Sequence, residues 1–235
     1  MITLYAFGPA FGVADPSPFV LKTQTFMRMV NIPYESIGSA QNLQKSPKGK
    51  LPFIKDNKEI ISDSFFILNH LTAKHAIDLD DHLTPEQLAQ THFISKSIEE
   101  SLYWCAVYFR WIYEENWQFI KKEFFGKMPF PLNKIVPIIA QKGVKKSLHG
   151  HGLGRHSEQE ILLIAEKHLE ALSVFLGEKD YCFGDKPSSL DATVYAFLAE
   201  IILVSLDSPL SERAKKYKNL VNYSQRMHDQ YFSTS

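Results

Sequence analysis

Cysteine is scarce. Cys105 and Cys182 are the two cysteines in 235 residues, too few for a disulfide framework and suited to a reducing compartment. An excess of one charge is missing as well: 26 Lys and Arg offset 26 Asp and Glu, for a formal net charge of +0. Nucleic-acid binding calls for a basic face, and this balance gives no reason to expect one. Long apolar runs are lacking. The longest, Ala192–Leu206, is interrupted by Thr193, Glu200 and Ser205 and falls short of the roughly 18–20 residues of a membrane span. There is no low-complexity tract and no internal repeat. Met1-Ile-Thr-Leu-Tyr5 carries no basic leader. The expectation is a soluble cytoplasmic protein, 45% hydrophobic and 22% charged.

What is present divides into two parts. Ile2–Phe7 alternates as a strand does. Gly8–Pro16 has loop composition, and Ser17-Pro18 offers a helix N-cap followed by proline at the first helical position. That helix ends before Asn31-Ile-Pro33, and Tyr34–Ile37 follows as a second strand. Leu51–Lys55 and Glu59–Ile61 flank a turn and predict a hairpin. A helix then starts near Ser62. Residues 1–76 therefore predict an α/β domain in the order βαβ, then ββα. Residues 84–235 predict an all-helical domain. Thr84-Pro-Glu-Gln87 starts a long helix through Ile112, Ser157 and Glu160 form a capping box, and Ser188–Asp191 opens a third, apolar and central helix. A last, more polar helix covers Asn219–Tyr231.

Three segments resemble glutathione transferases. Ser46-Pro-Lys-Gly-Lys-Leu-Pro-Phe-Ile54 is similar to the stretch that carries a cis-proline before the third strand. Ser62-Asp-Ser-Phe-Phe-Ile-Leu-Asn-His-Leu71 is similar to the acid–serine pair that opens the third helix. Ser188-Ser-Leu-Asp191 is similar to the capping box of the central helix. Asp15-Pro-Ser-Pro-Phe19, Gly150–Ser157 and Phe183–Ser189 resemble the failed axon connections and metaxin-like branch. The resemblance implies a thioredoxin-like N-terminal domain, a helical C-terminal domain, glutathione as co-substrate, a hydrophobic electrophile as acceptor and a homodimer. The metaxin side of it implies the alternative of a non-catalytic protein-interaction module.

It also implies site residues. Ser17 stands where related enzymes keep an activating hydroxyl or thiol. A hydrogen bond to a charged group contributes roughly 1.5–3 kcal/mol. Lowering a thiol from about 8.5 to about 6.5 needs roughly 2.7 kcal/mol, so one hydroxyl at a helix start suffices. Tyr5 on the first strand is the rival hydroxyl, and Ser17 also reads as a plain N-cap. Pro52 is expected to be cis and to present the Leu51 backbone to the peptide. Ser64 is expected to hold the γ-glutamyl carboxylate, Asp63 the amine, and Lys48 or Lys50 the glycyl carboxylate. Tyr108 and Trp111 are expected in the electrophile groove or, alternatively, in a dimer interface. No metal is expected at His149, His151 and His156. Zinc ligands need spacings that a loop can close, and the glycines read instead as a tight turn into the Ser157 helix. Arg155 and His156 are left to pair with an acid or a substrate carboxylate.

Overall fold

Strand β1 (Ile2–Ala6) buries Ile2, Leu4 and Ala6 on one face and turns Thr3 and Tyr5 to the other, as the two-residue period of a strand requires. In this computed structural model, which describes residues 1–126 and 128–233, β1 pairs parallel with β2 (Tyr34–Gly38) and antiparallel with β3 (Phe53–Asp56). The hairpin strand β4 (Glu59–Ser62) completes the order β2-β1-β3-β4. The buried face of β1 packs with Val20, Phe26 and Met27 of α1 (Pro18–Met29) and Ile67 and Leu71 of α3 (Ser64–His75). A short helix, α2 (Asn42–Lys45), closes the far end. The Asn42 amide donates to the carbonyls of Ala6 (3.0 Å) and Ile37 (2.7 Å) and so ties the parallel pair together.

The capping box expected at Thr84 and Gln87 is formed and starts α4 (Pro85–Ser97). The helix continues through a π turn at Ile98–Leu102 into α5 (Tyr103–Trp111). The π turn brings Glu99 into the domain junction, where its carboxylate accepts from Lys22 of α1 (2.6 Å) and Lys96 of α4 (2.8 Å). Wide turns of this kind often accompany functional sites. Besides the short helices α2 and Pro209–Ala214, two longer helices were not expected from the sequence, α6 (Glu114–Phe125) and α7 (Leu132–His151). Trp117 lies buried on α6. After α8 (Glu158–Leu176) come α9 (Ser189–Ile202), α10 (Pro209–Ala214) and α11 (Lys218–Phe232). Every residue from Leu190 to Ile202 is buried, because α1 covers one side of α9 and the remaining helices cover the rest.

The glycine tract needs a correction. His149, Gly150 and His151 form the last turn of α7, not a loop. Only Gly152 takes a positive φ (106°), and a 3₁₀ turn, Leu153–Arg155, leads to the Ser157–Glu160 capping box. Gly154 is present for space. A Cβ there would meet the backbone of His149 and Leu148 at 2.8 Å, closer than two atoms can sit without the backbone moving. Gly154→Ala is expected to lower stability by about 1–3 kcal/mol, the usual cost of overpacking. A urea titration of the two proteins measures it.

Candidate functional site

The first two candidate elements meet at the start of β3. The Leu51–Pro52 peptide bond is cis. The Pro52 carbonyl accepts the Asp63 N–H at 3.2 Å, which joins the entry to β3 to the tip of α3. Among the described residues, neither the amide nor the carbonyl of Leu51 is taken up by another backbone group, so this short edge keeps its hydrogen-bonding capacity. Asp63 itself lies at φ 83°, ψ 131°, with its Oδ1 accepting from the Phe65 amide at 2.9 Å. Such a conformation in a residue other than glycine costs on the order of 1–3 kcal/mol, and strain of this kind gathers at functional sites. Ser64 follows as the first residue of α3, buried, where unpaired helix amides and the helix dipole favour an anion. Lys96 approaches this tip from the helical domain, over the ring of Phe65 at 5.6 Å.

Ser17 caps α1. Its Oγ accepts from the Val20 amide at a long 3.5 Å, and its hydroxyl proton remains available to a second partner. Behind it lies a residue that sequence reasoning did not single out. Asp15 is fully buried. Its Oδ2 accepts from the amides of Phe7 and Gly8 (both 2.8 Å) and its Oδ1 from the amide of Ser17 (3.0 Å). One carboxyl group thus fixes the end of β1 to the start of α1. Burial, with a smaller contribution from Glu200, pushes Asp15 up to about 7 against the pull of its three amide donors. The native state therefore holds this proton more firmly than the unfolded chain, whose carboxyls titrate near about 4. Stability is expected to fall as pH rises from about 4 to about 7, and Asp15→Asn is expected to flatten that slope in unfolding titrations run across the range.

A second unforeseen group braces the same loop from the helical domain. Arg110 of α5 donates to the Pro16 carbonyl (2.7 Å) and to the Glu200 carboxylate (2.6 Å). Glu200 is buried on α9, and burial raises its pKa despite the guanidinium beside it. The signal for these residues in the sequence is slight: an Asp two places before a Ser-Pro cap, and a Glu inside an otherwise apolar helix.

The other candidates separate. Tyr5 stacks on Phe53, with ring centroids 4.2 Å apart and planes 8° apart, on the sheet face away from α1. The Lys50 amide and carbonyl are tied to the Ser46 hydroxyl, with the side chain exposed. Lys48 lies over Phe66 at 4.5 Å. Tyr108 packs on Phe109, and Trp111 lies among Trp117 and Phe124. On α5 it is Tyr103, against Phe19 at 5.0 Å, and Arg110 that reach the Ser17 side. Phe11, from the long β1–α1 loop, packs on Phe119 and Phe124 of α6 and so lays that loop along the helical domain.

The histidines have separate partners. The Nε2 of His151 donates to the Glu100 carbonyl (3.0 Å), and the ring stacks on Trp104 (4.8 Å). His156 lies 3.8 Å from Glu160, and Arg155 donates to the His149 carbonyl. Both cysteines are buried, and burial raises Cys105 to about 12 and Cys182 well above its usual value. Neither thiol is set up as a nucleophile.

A profile of the glutathione S-transferase N-terminal domain matches residues 18–116, and one of the glutathione S-transferase C-terminal domain matches residues 165–227. An isoprene-epoxide glutathione S-transferase from Rhodococcus sp. (strain AD45) is 33% identical across 98% of this chain and 99% of its own length. The chain belongs to the glutathione S-transferase family. Within that family its relatives include Failed axon connections of Drosophila melanogaster, 32% identical over 99% of this chain and 58% of that protein. Human Metaxin-2 is 30% identical over 90% of this chain and 81% of that protein. This places the transferase-family chain in the metaxin-like branch. Its fold is shared with the β-etherase LigF from Sphingobium sp. strain SYK-6, with a TM-score of 0.65 at 17% identity over 97% of this chain and 94% of the other.

Proposed function

We propose that this protein is a glutathione transferase that directs the glutathione thiolate onto a small apolar electrophile. The observation that supports this most is the pairing of the open Leu51 edge with the strained Asp63 and the α3 tip at Ser64. An extended peptide adds to such an edge as a further strand. In this reading Ser64 and the first amides of α3 take the γ-glutamyl carboxylate, and the free Oδ2 of Asp63 takes its ammonium group. Lys50 faces the glycyl carboxylate. The Ser17 hydroxyl donates to the sulfur and keeps it ionised at neutral pH. An epoxide is the first electrophile to test, because the name of the Rhodococcus relative carries one. The sulfur attacks a ring carbon, the C–O bond breaks, and the alkoxide takes a proton from water. The protein acts as a homodimer through the exposed Ile60, Phe66, Leu88 and Phe93 along β4, α3 and α4.

Immobilised glutathione tests the reading. Retention of the protein, release by free glutathione and turnover of an epoxide are the expected results. No retention, no thermal shift with glutathione and no turnover would leave the non-catalytic interaction module, which Failed axon connections and Metaxin-2 among its relatives make the second reading.

A further inference from the structure

The zero net charge hides a strong asymmetry. From Phe124 through Ser157 there is no aspartate or glutamate, while Lys127, Lys134, Lys142, Lys145, Lys146 and Arg155 fall in the same stretch. Most of it is α7. That helix turns Pro137, Ala140, Val144 and Leu148 toward the core. The opposite face, at three- and four-residue spacing, carries Ile135, Ile138, Ile139, Lys142, Lys145 and Lys146. All three lysines are exposed. Ile138 and Ile139 are 65% and 64% exposed, and Phe130, just before the helix, is 83% exposed. Exposed aliphatic side chains on the first half of a helix, continued by lysines on the same face, suit a surface that is apolar below and negative above. A bilayer with acidic headgroups has that layering. An acidic protein groove would meet the lysines but would not need so many bare aliphatic tips around Phe130.

We infer that the outer face of α7, with Phe130, docks on membranes containing anionic lipid. Ile138 and Ile139 enter the headgroup–acyl boundary and Lys142, Lys145 and Lys146 lie against the phosphates. The attachment is peripheral: among the described residues, no helix is long and apolar enough to cross a membrane. This proposal is independent of the glutathione reading, since none of its residues belongs to that site.

Vesicle co-sedimentation tests it. The full chain is expected to sediment with phosphatidylcholine vesicles that contain phosphatidylserine, and to stay in solution with phosphatidylcholine alone or at high salt. Near a charged surface each lysine contributes about 1 kcal/mol, so reversing Lys142, Lys145 and Lys146 to glutamate is expected to weaken binding about 100-fold or more. Ile138→Ser with Ile139→Ser is expected to weaken it with little change in the salt dependence. Both variants should keep the thermal midpoint of the parent, because these side chains point away from the core. Failure to bind either vesicle overturns the proposal. So does equal binding to neutral vesicles, or unchanged binding by the lysine variant. If no vesicle binds and the serine variant instead dissociates an oligomer in sedimentation velocity, the face is covered by a second copy and the inference is wrong.

Discussion

Replacing Ser17 with alanine is expected to slow glutathione conjugation about 10- to 100-fold while glutathione binding is largely kept. The magnitude follows from the hydrogen bond that is lost. A bond to an ionised sulfur contributes roughly 1.5–3 kcal/mol, and each 1.36 kcal/mol is about tenfold in rate. The grip on the peptide resides in Leu51, Asp63 and Ser64, which the substitution leaves alone. The cap contributes little, since the Ser17 Oγ accepts at a long 3.5 Å, so the loss of helix stability should sit near the low end of about 0.5–2 kcal/mol. The pH profile separates the two roles. With the hydroxyl gone, the bound thiol titrates nearer its free value of about 8.5, and the variant recovers rate as pH rises. Ser17→Thr should restore the neutral-pH rate. Tyr5→Phe should change nothing, because that ring is stacked on Phe53 away from α1. An unchanged rate in Ser17→Ala reduces Ser17 to a helix cap.

Asp191→Ala is expected to be the most damaging single change to the fold, at least about 4 kcal/mol. The buried carboxyl of Asp191 accepts from the Ser188 amide and hydroxyl (both 2.8 Å), the Cys182 amide (2.8 Å) and the Tyr223 hydroxyl (3.0 Å). All lie inside the protein. Bonds to a charged acceptor contribute roughly 1.5–3 kcal/mol each, and a buried donor left without a partner costs about 1–3 kcal/mol. Alanine removes the acceptor from four donors at once. Soluble yield and the urea midpoint report the loss. Asp191→Asn, which keeps one acceptor oxygen, should fall between. A midpoint within about 1 kcal/mol of the parent in Asp191→Ala would show that water replaces the carboxylate, as buried polar sites of sufficient size permit.

The parts of this molecule that the sequence discloses are those set by neighbours a few positions apart. The caps at Ser17, Thr84, Ser157 and Ser188 each rest on a residue within three positions, and all four start helices. The alternation of Ile2, Leu4 and Ala6 is likewise local. Helix α7 was missed because Pro137 and the glycines contradict helix propensity, and packing on α5 and α6 overrides them. Asp15 and Glu200 were missed for another reason. Their character comes from burial, and Arg110 reaches Glu200 across 90 positions of chain, a separation at which no local pattern operates. Tyr108 and Trp111 illustrate a third limit. The spacing shows that aromatic residues crowd one helix, but only the direction of its neighbours decides which ring meets which surface.

Helix α9 carries a consequence for how this protein can be cut or fused. Ala192 on α9 belongs to the same apolar cluster as Leu4, Val20 and Ile67 of the first domain, so the two halves share a wall. Expressed without residues 1–76, the remainder would present that wall to water as a sticky stripe along its middle and would precipitate or seek chaperones. Any rearranged or split version must therefore deliver α1 and α9 together, whichever chemistry is grafted onto the rest.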